Sequence, residues 1–252
     1  MMNNILEVKN LNKVYDELGP SPKKALNDVC FEITENEFVC IMGPSGSGKT
    51  TLVNILSTID KATSGEVLLA GEKLVGMSGS NKAKFRKNKL GFIFQNYNLL
   101  YSLTIKENIL FPLLVNGVNL KSQEEALKEL VEILNIEDIL DKHVYECSGG
   151  QQQRAAIARA LSTTPEIIIA DEPTGNLDSK NSRELMELFL KINQTTKTTI
   201  IMVTHDAFVA SYASKMLYMK DGKIDQILAR KEMSRDEFFN EIVKVNAIMS
   251  NN

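Results

Sequence analysis

A surplus of basic residues is missing from this chain of 252: 29 lysines and arginines face 32 aspartates and glutamates, for a net charge of -3. Nucleic-acid binders usually carry a clear basic excess, so no nucleic-acid partner is expected. Cysteine is scarce as well. Cys30, Cys40 and Cys147 are odd in number and far apart. They form neither a disulfide framework nor a metal-ligand spacing, and they suit a reducing compartment. Long apolar runs are absent too. Ile167 to Ala170 and Ile200 to Val203 are far shorter than the ~20 residues of a membrane-spanning helix. Met1-Met2-Asn3-Asn4 shows no basic start followed by an apolar run, so no signal peptide is expected. Internal repeats and low-complexity tracts are also lacking. The remainder is ordinary for a globular protein, with 43% hydrophobic and 24% charged residues. A chain of this length buries most of its apolar surface without covalent staples.

The apolar pattern alternates between two periods. Ile5 to Val8, Val29 to Ile33, Phe38 to Met42, Val67 to Leu69, Leu90 to Phe94, Ile167 to Ala170 and Thr199 to Val203 read as strands. Between them, Leu52, Ile55, Leu56 and Ile59 recur at helical spacing, as do Leu185, Leu188, Phe189 and Ile192. From Leu103 to Leu161 the chain reads as a helical insert. There Ser122 and Glu125 have the spacing of a capping box ahead of Leu127, Leu130, Val131 and Leu134. Asp221-Gly222 signals a hairpin. Ser234 with Glu237 opens a last helix from Asp236 to about Ile248. Lys82 to Lys89 is the densest charge run and reads as a solvated helix face. Strands alternating with helices predict an α/β architecture around a mostly parallel sheet.

Gly43-Pro44-Ser45-Gly46-Ser47-Gly48-Lys49-Thr50 matches the phosphate-binding P-loop pattern in full. Its glycines let backbone N–H groups turn inward around phosphate oxygens. The helix that follows aims its partly positive N-terminus at the same anion. Lys49 can reach the β- and γ-phosphates, and the Thr50 hydroxyl can ligate Mg²⁺. With glycine near 7% of residues, the pattern arises by chance in roughly one chain in a hundred of this length. Context decides the matter: an apolar strand precedes it and a helix follows.

A second constellation complements the first. Ile167 to Ala170 ends in Asp171-Glu172. By itself, an apolar strand ending in two carboxylates also fits a strand meeting solvent. Beside a P-loop, Asp171 is expected to help hold Mg²⁺. Glu172, turned to the other face by strand alternation, is expected to polarise a water for attack on the γ-phosphate. His205 ends another buried strand, where ligands bind in α/β sheets, and is placed to contact the γ-phosphate and orient Glu172. His143, among polar residues, is read as structural.

Together these motifs resemble those of ABC transporter ATPases, over residues 5 to about 228. Cys147-Ser148-Gly149-Gly150-Gln151, followed by Gln152-Gln153-Arg154, is similar to the family's signature motif. Lys13-Val14-Tyr15 resembles the loop whose aromatic residue stacks on adenine. Gln95 resembles the Q-loop glutamine, a Mg²⁺ ligand, and Asp178 the D-loop aspartate. The resemblance implies a P-loop ATPase with a parallel core, an N-terminal antiparallel β subdomain and an inserted helical subdomain at about 96–161. The ATPase domain would span 1–228 and a helical extension 229–252. ATP and Mg²⁺ would be held by Tyr15, Gly43 to Thr50, Thr51, Gln95, Asp171, Ser148 to Gln151 and Asp178, with Lys49, Glu172 and His205 as the catalytic groups. Two copies would pair head to tail, each ATP lying between one P-loop and the other copy's signature motif. One departure stands out: Cys147 occupies a position where the family usually has leucine. It is read as a packing substitution, since cysteine behaves as a small hydrophobe.

Phe92 to Leu100, Leu103 to Ile109 and the final helix with Phe238-Phe239 are similar to the branch of macrolide-export, lipoprotein-release and cell-division ATPases. The likeness is strongest to bacitracin-type peptide-resistance ATPases of Gram-positive bacteria. It implies a separate integral membrane permease as partner, and a place on the cytoplasmic face of a bacterial membrane. A lipoprotein-release or cell-division subunit is the nearest alternative. A soluble ABC ATPase of DNA repair or translation would bring a coiled-coil insertion, zinc cysteines or a second cassette, none of which is in the sequence. A GTPase would need an Asn-Lys-x-Asp motif, and Asn88-Lys89-Leu90-Gly91 lacks its aspartate.

Overall fold

The computed structural model describes residues 3–17 and 19–250. Met1-Met2 and the last two residues of the expected extension lie outside them. The chain opens with β1 (Asn4–Tyr15), β2 (Lys23–Thr34), β3 (Phe38–Met42) and α1 (Lys49–Leu56). Then come β4 (Ser64–Leu69), β5 (Glu72–Lys73), α2 (Gly79–Lys89) and β6 (Leu90–Ile93). Helices α3 (Ile105–Val115), α4 (Glu124–Leu134) and α5 (Gly149–Leu161) follow, joined through short 3-10 turns. β7 (Ile167–Asp171), α6 (Ser179–Thr196), β8 (Thr199–Val203) and α7 (Ala207–Ala210) lead to β9 (Lys215–Lys220), β10 (Lys223–Ala229) and α8 (Arg235–Ser250).

Two sheets form. One is antiparallel, in the order β2-β1-β4-β5. The other runs β10-β9-β3-β8-β7-β6, parallel throughout except for the β9–β10 hairpin. The central strands are apolar on both faces because both are covered. Phe38, Cys40 and Met42 enter one core, with residues of α3 to α8, while Val39 and Ile41 enter the other, with the antiparallel sheet and α1. β7 and β8 divide in the same way: Ile168, Ala170, Ile200 and Met202 face the helices, and Ile167, Ile169, Ile201 and Val203 face the antiparallel sheet. Each fully buried aliphatic side chain of this kind contributes about 1.5–3 kcal/mol. The parallel strands therefore form a rigid plate whose C-terminal edge carries the site.

The expected α/β class, the antiparallel N-terminal sheet and the helical insert are all present. Several local expectations change. β1 and β2 are twelve residues each, not four and five. Asn10 sits in a left-handed conformation (φ 47°), and register shifts interrupt the β1–β2 ladder around it. This bulge hides the strand behind a polar stretch. Ser122 and Glu125 form no capping box. A 3-10 turn over Leu120–Gln123 precedes α4, and Ser122 Oγ donates instead to the Asn119 carbonyl at 2.7 Å. Ile59 leaves the helical face, because α1 ends at Leu56 and Thr58 turns to φ 60°; it is 56% exposed. The basic run lies on α2, where Phe85 is the buried residue. The Asp221-Gly222 turn has φ of 48° and 75°, as a tight hairpin requires. Ser234 and Glu237 do form the capping box of α8, with Glu237 N–H donating to Ser234 Oγ at 3.3 Å.

Candidate active site

Four chain segments meet at the C-terminal edge of the parallel sheet. β3 leads into Gly43–Gly48, β6 into Gln95, β7 into Glu172 and β8 into His205. This is where an open α/β sheet binds ligands.

The P-loop conformation requires glycine at its ends. Gly43 has φ 152°, and a Cβ there would lie 2.0 Å from the Met219 carbonyl oxygen. Gly48, at φ 102°, caps α1. The first turn of α1 holds no acidic residue, and no side chain caps its N-terminus, so its N–H groups and its dipole remain directed at an anion. Lys49 is buried, and its Nζ donates to the carbonyls of Gly43 and Pro44, each at 2.8 Å. Burial lowers the Lys49 pKa, while the nearby charges of Glu172 and Asp171 act against that shift. Ser47 Oγ is buried and has no hydrogen-bond partner. An orphaned hydroxyl inside the loop fits a phosphate-lined site, because a buried polar group left unpaired costs about 1–3 kcal/mol.

Glu172 is the hub. Its Oε1 lies 3.1 Å from His205 Nδ1, and its Oε2 accepts from Gln95 Nε2 at 3.5 Å. β7 ends one residue earlier, and Glu172 has φ 44°. A left-handed turn therefore aims the side chain, in place of the pleat alternation expected from sequence. Such a conformation costs about 1–3 kcal/mol and persists where the surroundings impose it. Here the Glu172 N–H donates to Val203 O at 2.9 Å, and its carbonyl accepts from Gly175 N at 3.0 Å. His205 is held by its neighbours. Asp206 N–H donates to Thr204 Oγ1 at 3.0 Å, and Phe208 N–H to Asp206 Oδ1 at 2.8 Å. The imidazole is 68% exposed against 25% for the Glu172 side chain, so the histidine is the outermost member of the pair.

Asp171 lies on β7 beside this pair. Burial, and after it the Glu172 charge, raise its pKa, with Lys49 acting the other way. A carboxylate left short of positive charge suits a cation. With the Thr50 hydroxyl and the Gln95 amide oxygen it makes a set of hard oxygen donors of the kind Mg²⁺ takes. Among the described residues no cluster of three His, Cys, Asp or Glu side chains forms a metal site.

Tyr15 lies against the start of α1, with its phenol oxygen 3.5 Å from Thr51 Oγ1. The other expected residues stand apart. Ser148 caps α5: its Oγ accepts from Gln151 N at 3.3 Å, and Gln151 Oε1 accepts from Ser148 N at 2.9 Å. This box occupies two of the four N-terminal donors and leaves the N–H groups of Gly149 and Gly150. A Cβ at Gly150 would have 3.8 Å to its nearest atom. Nothing in this chain forbids a side chain there, and its absence keeps the donor face open. Asp178 caps α6, accepting from Asn181 N at 2.8 Å; that hydrogen bond leads the interactions holding its carboxyl below the usual range. Among the described residues, no hydrogen bond or ion pair joins Ser148–Gln151 or Asp178 to the P-loop. Cys147 is buried in the helical core, and burial raises its thiol pKa, in keeping with a packing role. His143 stacks on Tyr145, with ring centroids 5.3 Å apart.

Two supporting residues escaped the sequence reading. Asn176 Nδ2 donates to the Gln95 carbonyl at 3.0 Å, and Arg159 donates to the carbonyls of Tyr97 and Asn98. Both steady the segment after β6. An arginine on a predicted helix about three turns past the Ser148 cap is a weak signal in sequence alone, because nothing local says that its partners are backbone carbonyls.

Comparisons with known proteins identify the family. The ABC transporter family model matches residues 26–175. The ABC transporter ATP-binding protein YxdL of Bacillus subtilis is 45% identical over 251 residues, covering 100% of this chain and 96% of its own. The bacitracin export ATP-binding protein BceA of Halalkalibacterium halodurans is 44% identical, covering 97% of this chain and 96% of its own. Among solved structures, a dimeric post-hydrolysis state of the ATP-binding cassette MJ0796, bound to ADP and Pi, aligns with a TM-score of 0.81 at 38% identity. It covers 90% of this chain and 100% of that one. With a family model over more than half its length and relatives of this identity end to end, the chain belongs to the ABC transporter family, as an ATP-binding subunit.

Proposed function

We propose that this subunit hydrolyses ATP as a head-to-tail dimer and drives a separate membrane permease in peptide-antibiotic resistance or export of the bacitracin type. The observation that carries the catalytic part is the convergence of Gln95 and His205 on Glu172 beside Lys49. Glu172 acts as general base on a water, Lys49 and the P-loop N–H groups hold the β- and γ-phosphates, and Asp171, Thr50 and Gln95 hold Mg²⁺. When bound, Mg²⁺ neutralises charge on the β- and γ-phosphate oxygens. His205 donates from Nδ1 to Glu172. A phosphate oxygen only accepts, so contact with the γ-phosphate through Nε2 needs both ring nitrogens protonated. Residues 1–228 form the ATPase domain in this reading, and 229–252 a helical extension that starts at the last residue of β10 and carries α8.

The second copy is supported by the separation of the Ser148–Gly150 donors from the P-loop and by the dimeric state of the MJ0796 structure. The permease is supported by an exposed apolar surface. Leu100, Tyr101, Phe111, Leu114 and Val115 are 41–65% exposed. Of these, Leu100 and Phe111 line a groove of about 540 Å³ that also takes in Phe94 and Asn98, on either side of Gln95. No helix of the described residues is long and apolar enough to cross a membrane; in this reading the permease holds the subunit at the cytoplasmic face of the membrane. Peptide resistance is supported by the bacitracin export relative, whose similarity runs the length of both chains.

Lys49→Ala is expected to weaken MgATP binding by about 1.5–3 kcal/mol, the range for a hydrogen bond to a charged group. Fluorescence titration with an ATP analogue reads it; unchanged affinity and turnover would remove Lys49 from the site. For the cellular role, deletion and Glu172→Gln strains are both expected to lose resistance to bacitracin or lantibiotic peptides to the same extent. Inhibitory concentrations across a peptide panel test this. A deletion that mislocalises lipoproteins or blocks division, with peptide resistance intact, selects the alternative branch.

A further inference from the structure

Asp60 lies just beyond α1 and has no part in the chemistry above. Both of its carboxylate oxygens are engaged. Oδ2 accepts from the Tyr15 phenol at 2.8 Å, and Oδ1 accepts from Lys13 Nζ at 2.8 Å and from the Lys61 N–H at 2.6 Å. Lys13 Nζ also donates to the Lys61 carbonyl at 2.8 Å and sits 4.5 Å from the centroid of the Tyr15 ring. One carboxylate thus holds the ring by its phenol and, through Lys13, by one of its faces.

We propose that Asp60 is the positioning residue for the nucleotide base, fixing the Tyr15 ring in the orientation on which the base stacks. This rests on the ATP-site reading given above. Lys13 lies over the Tyr15 ring at the end of β1, and Tyr15 lies beside Thr51, the residue after the P-loop. With the ammonium over one face of the ring, a planar base would stack on the opposite face. Lys13 is 9% exposed and Tyr15 39%, so the cation is sunk beneath a ring that still meets solvent. Burial pushes the Asp60 carboxyl up, but the hydrogen bonds from Lys13, Tyr15 and the Lys61 N–H, with the Lys13 charge, hold it below its ordinary value. The acceptor is therefore charged at neutral pH. Removing it leaves a nearly buried ammonium with one carbonyl partner and a phenol with none nearer than Thr51. A ring fixed before binding loses less entropy when the base arrives.

The test is calorimetric binding of MgATP and of magnesium tripolyphosphate, which has phosphates and no base, to the full chain. The variants are Asp60→Ala, Asp60→Asn, Tyr15→Ala and the Asp60→Ala/Tyr15→Ala double. Asp60→Ala is expected to weaken ATP about tenfold, within the range for a lost base–aromatic stack, and to leave tripolyphosphate unchanged. The double variant is expected to bind ATP no more weakly than Tyr15→Ala alone. Asp60→Asn, which keeps an acceptor for the phenol, is expected to retain part of the affinity. If Asp60→Ala weakens both ligands alike, if the two losses add in full, or if ATP binding stays at wild type, Asp60 is a structural tie and the proposal is overturned. Tyr15→Ala binding ATP as wild type does would overturn the stacking reading itself, separately from the role of Asp60.

Discussion

Glu172→Gln is expected to reduce ATP turnover by at least about a hundredfold, since a positioned general base contributes 10²–10⁴, while ATP binding survives. The amide has nearly the shape of the carboxylate but cannot take a proton from water. It can still accept from His205 through its oxygen. Toward Gln95 it presents an NH₂ where the carboxylate accepted at 3.5 Å, so that weak contact is expected to be lost while the Gln95 oxygen stays available to Mg²⁺. Loss of one negative charge beside Lys49 also removes repulsion against a bound γ-phosphate. The nucleotide is then held without being consumed, and two subunits stay closed around it. Phosphate release and light scattering with MgATP read the two consequences. Turnover within tenfold of wild type overturns the base assignment. A chain that neither turns over nor dimerises at micromolar concentration separates the base from the closed dimer and counts against the latter.

Much of this site was legible because its parts are local. A P-loop is eight contiguous residues after an apolar strand. Asp171 ends such a strand, and Glu172 and His205 lie one and two residues beyond strand ends; burial on both faces shows each of those strands as an unbroken apolar run. A parallel sheet then brings such ends together without further instruction, since the strands share a direction. Gln95 joins them for the same reason, two residues beyond β6. Here knowledge of strand order adds little to knowledge of which residues terminate strands.

What remained hidden depends on interactions between distant segments or on the backbone. The β1 extension past Val8 is polar and bulged, and it pairs because Asn10 Nδ2 reaches Asp28 Oδ1 at 2.7 Å and Asn12 accepts from the Asp28 N–H at 3.0 Å. No period-2 pattern announces that. Ser122 had the spacing of a helix cap, yet a 3-10 turn that begins after Asn119 took it. The aim of Glu172 follows from its φ, which a pleat argument cannot supply. Cys147 illustrates the reverse: the packing role read for it in sequence agrees with its burial among the helices.

The arrangement of donors around α5 leads to the second large effect, which concerns two chains at once. Ser148→Arg removes the cap, at a cost of about 0.5–2 kcal/mol to the helix, and places a long side chain over the N–H groups of Gly149 and Gly150. Lys49→Ala damages the other anion site. Each variant alone is expected to be inactive, because in a two-fold dimer both composite sites carry the lesion. Mixed, the Ser148→Arg chain supplies an intact P-loop opposite the intact cap of the Lys49→Ala chain. The second site of that dimer takes both lesions. Random pairing at equal amounts makes about half the dimers mixed, so about a quarter of wild-type activity is expected if the sites work independently. Circular dichroism of each variant shows whether α5 still folds, and ATPase activity against mixing ratio gives the result. Activity that peaks at equal ratio requires the cap of one chain to serve the P-loop of another. If folded variants show no activity at any ratio, sizing with MgATP decides the cause: a mixed dimer that assembles but stays silent means both sites must fire together, and failure to assemble means the head-to-tail arrangement is wrong.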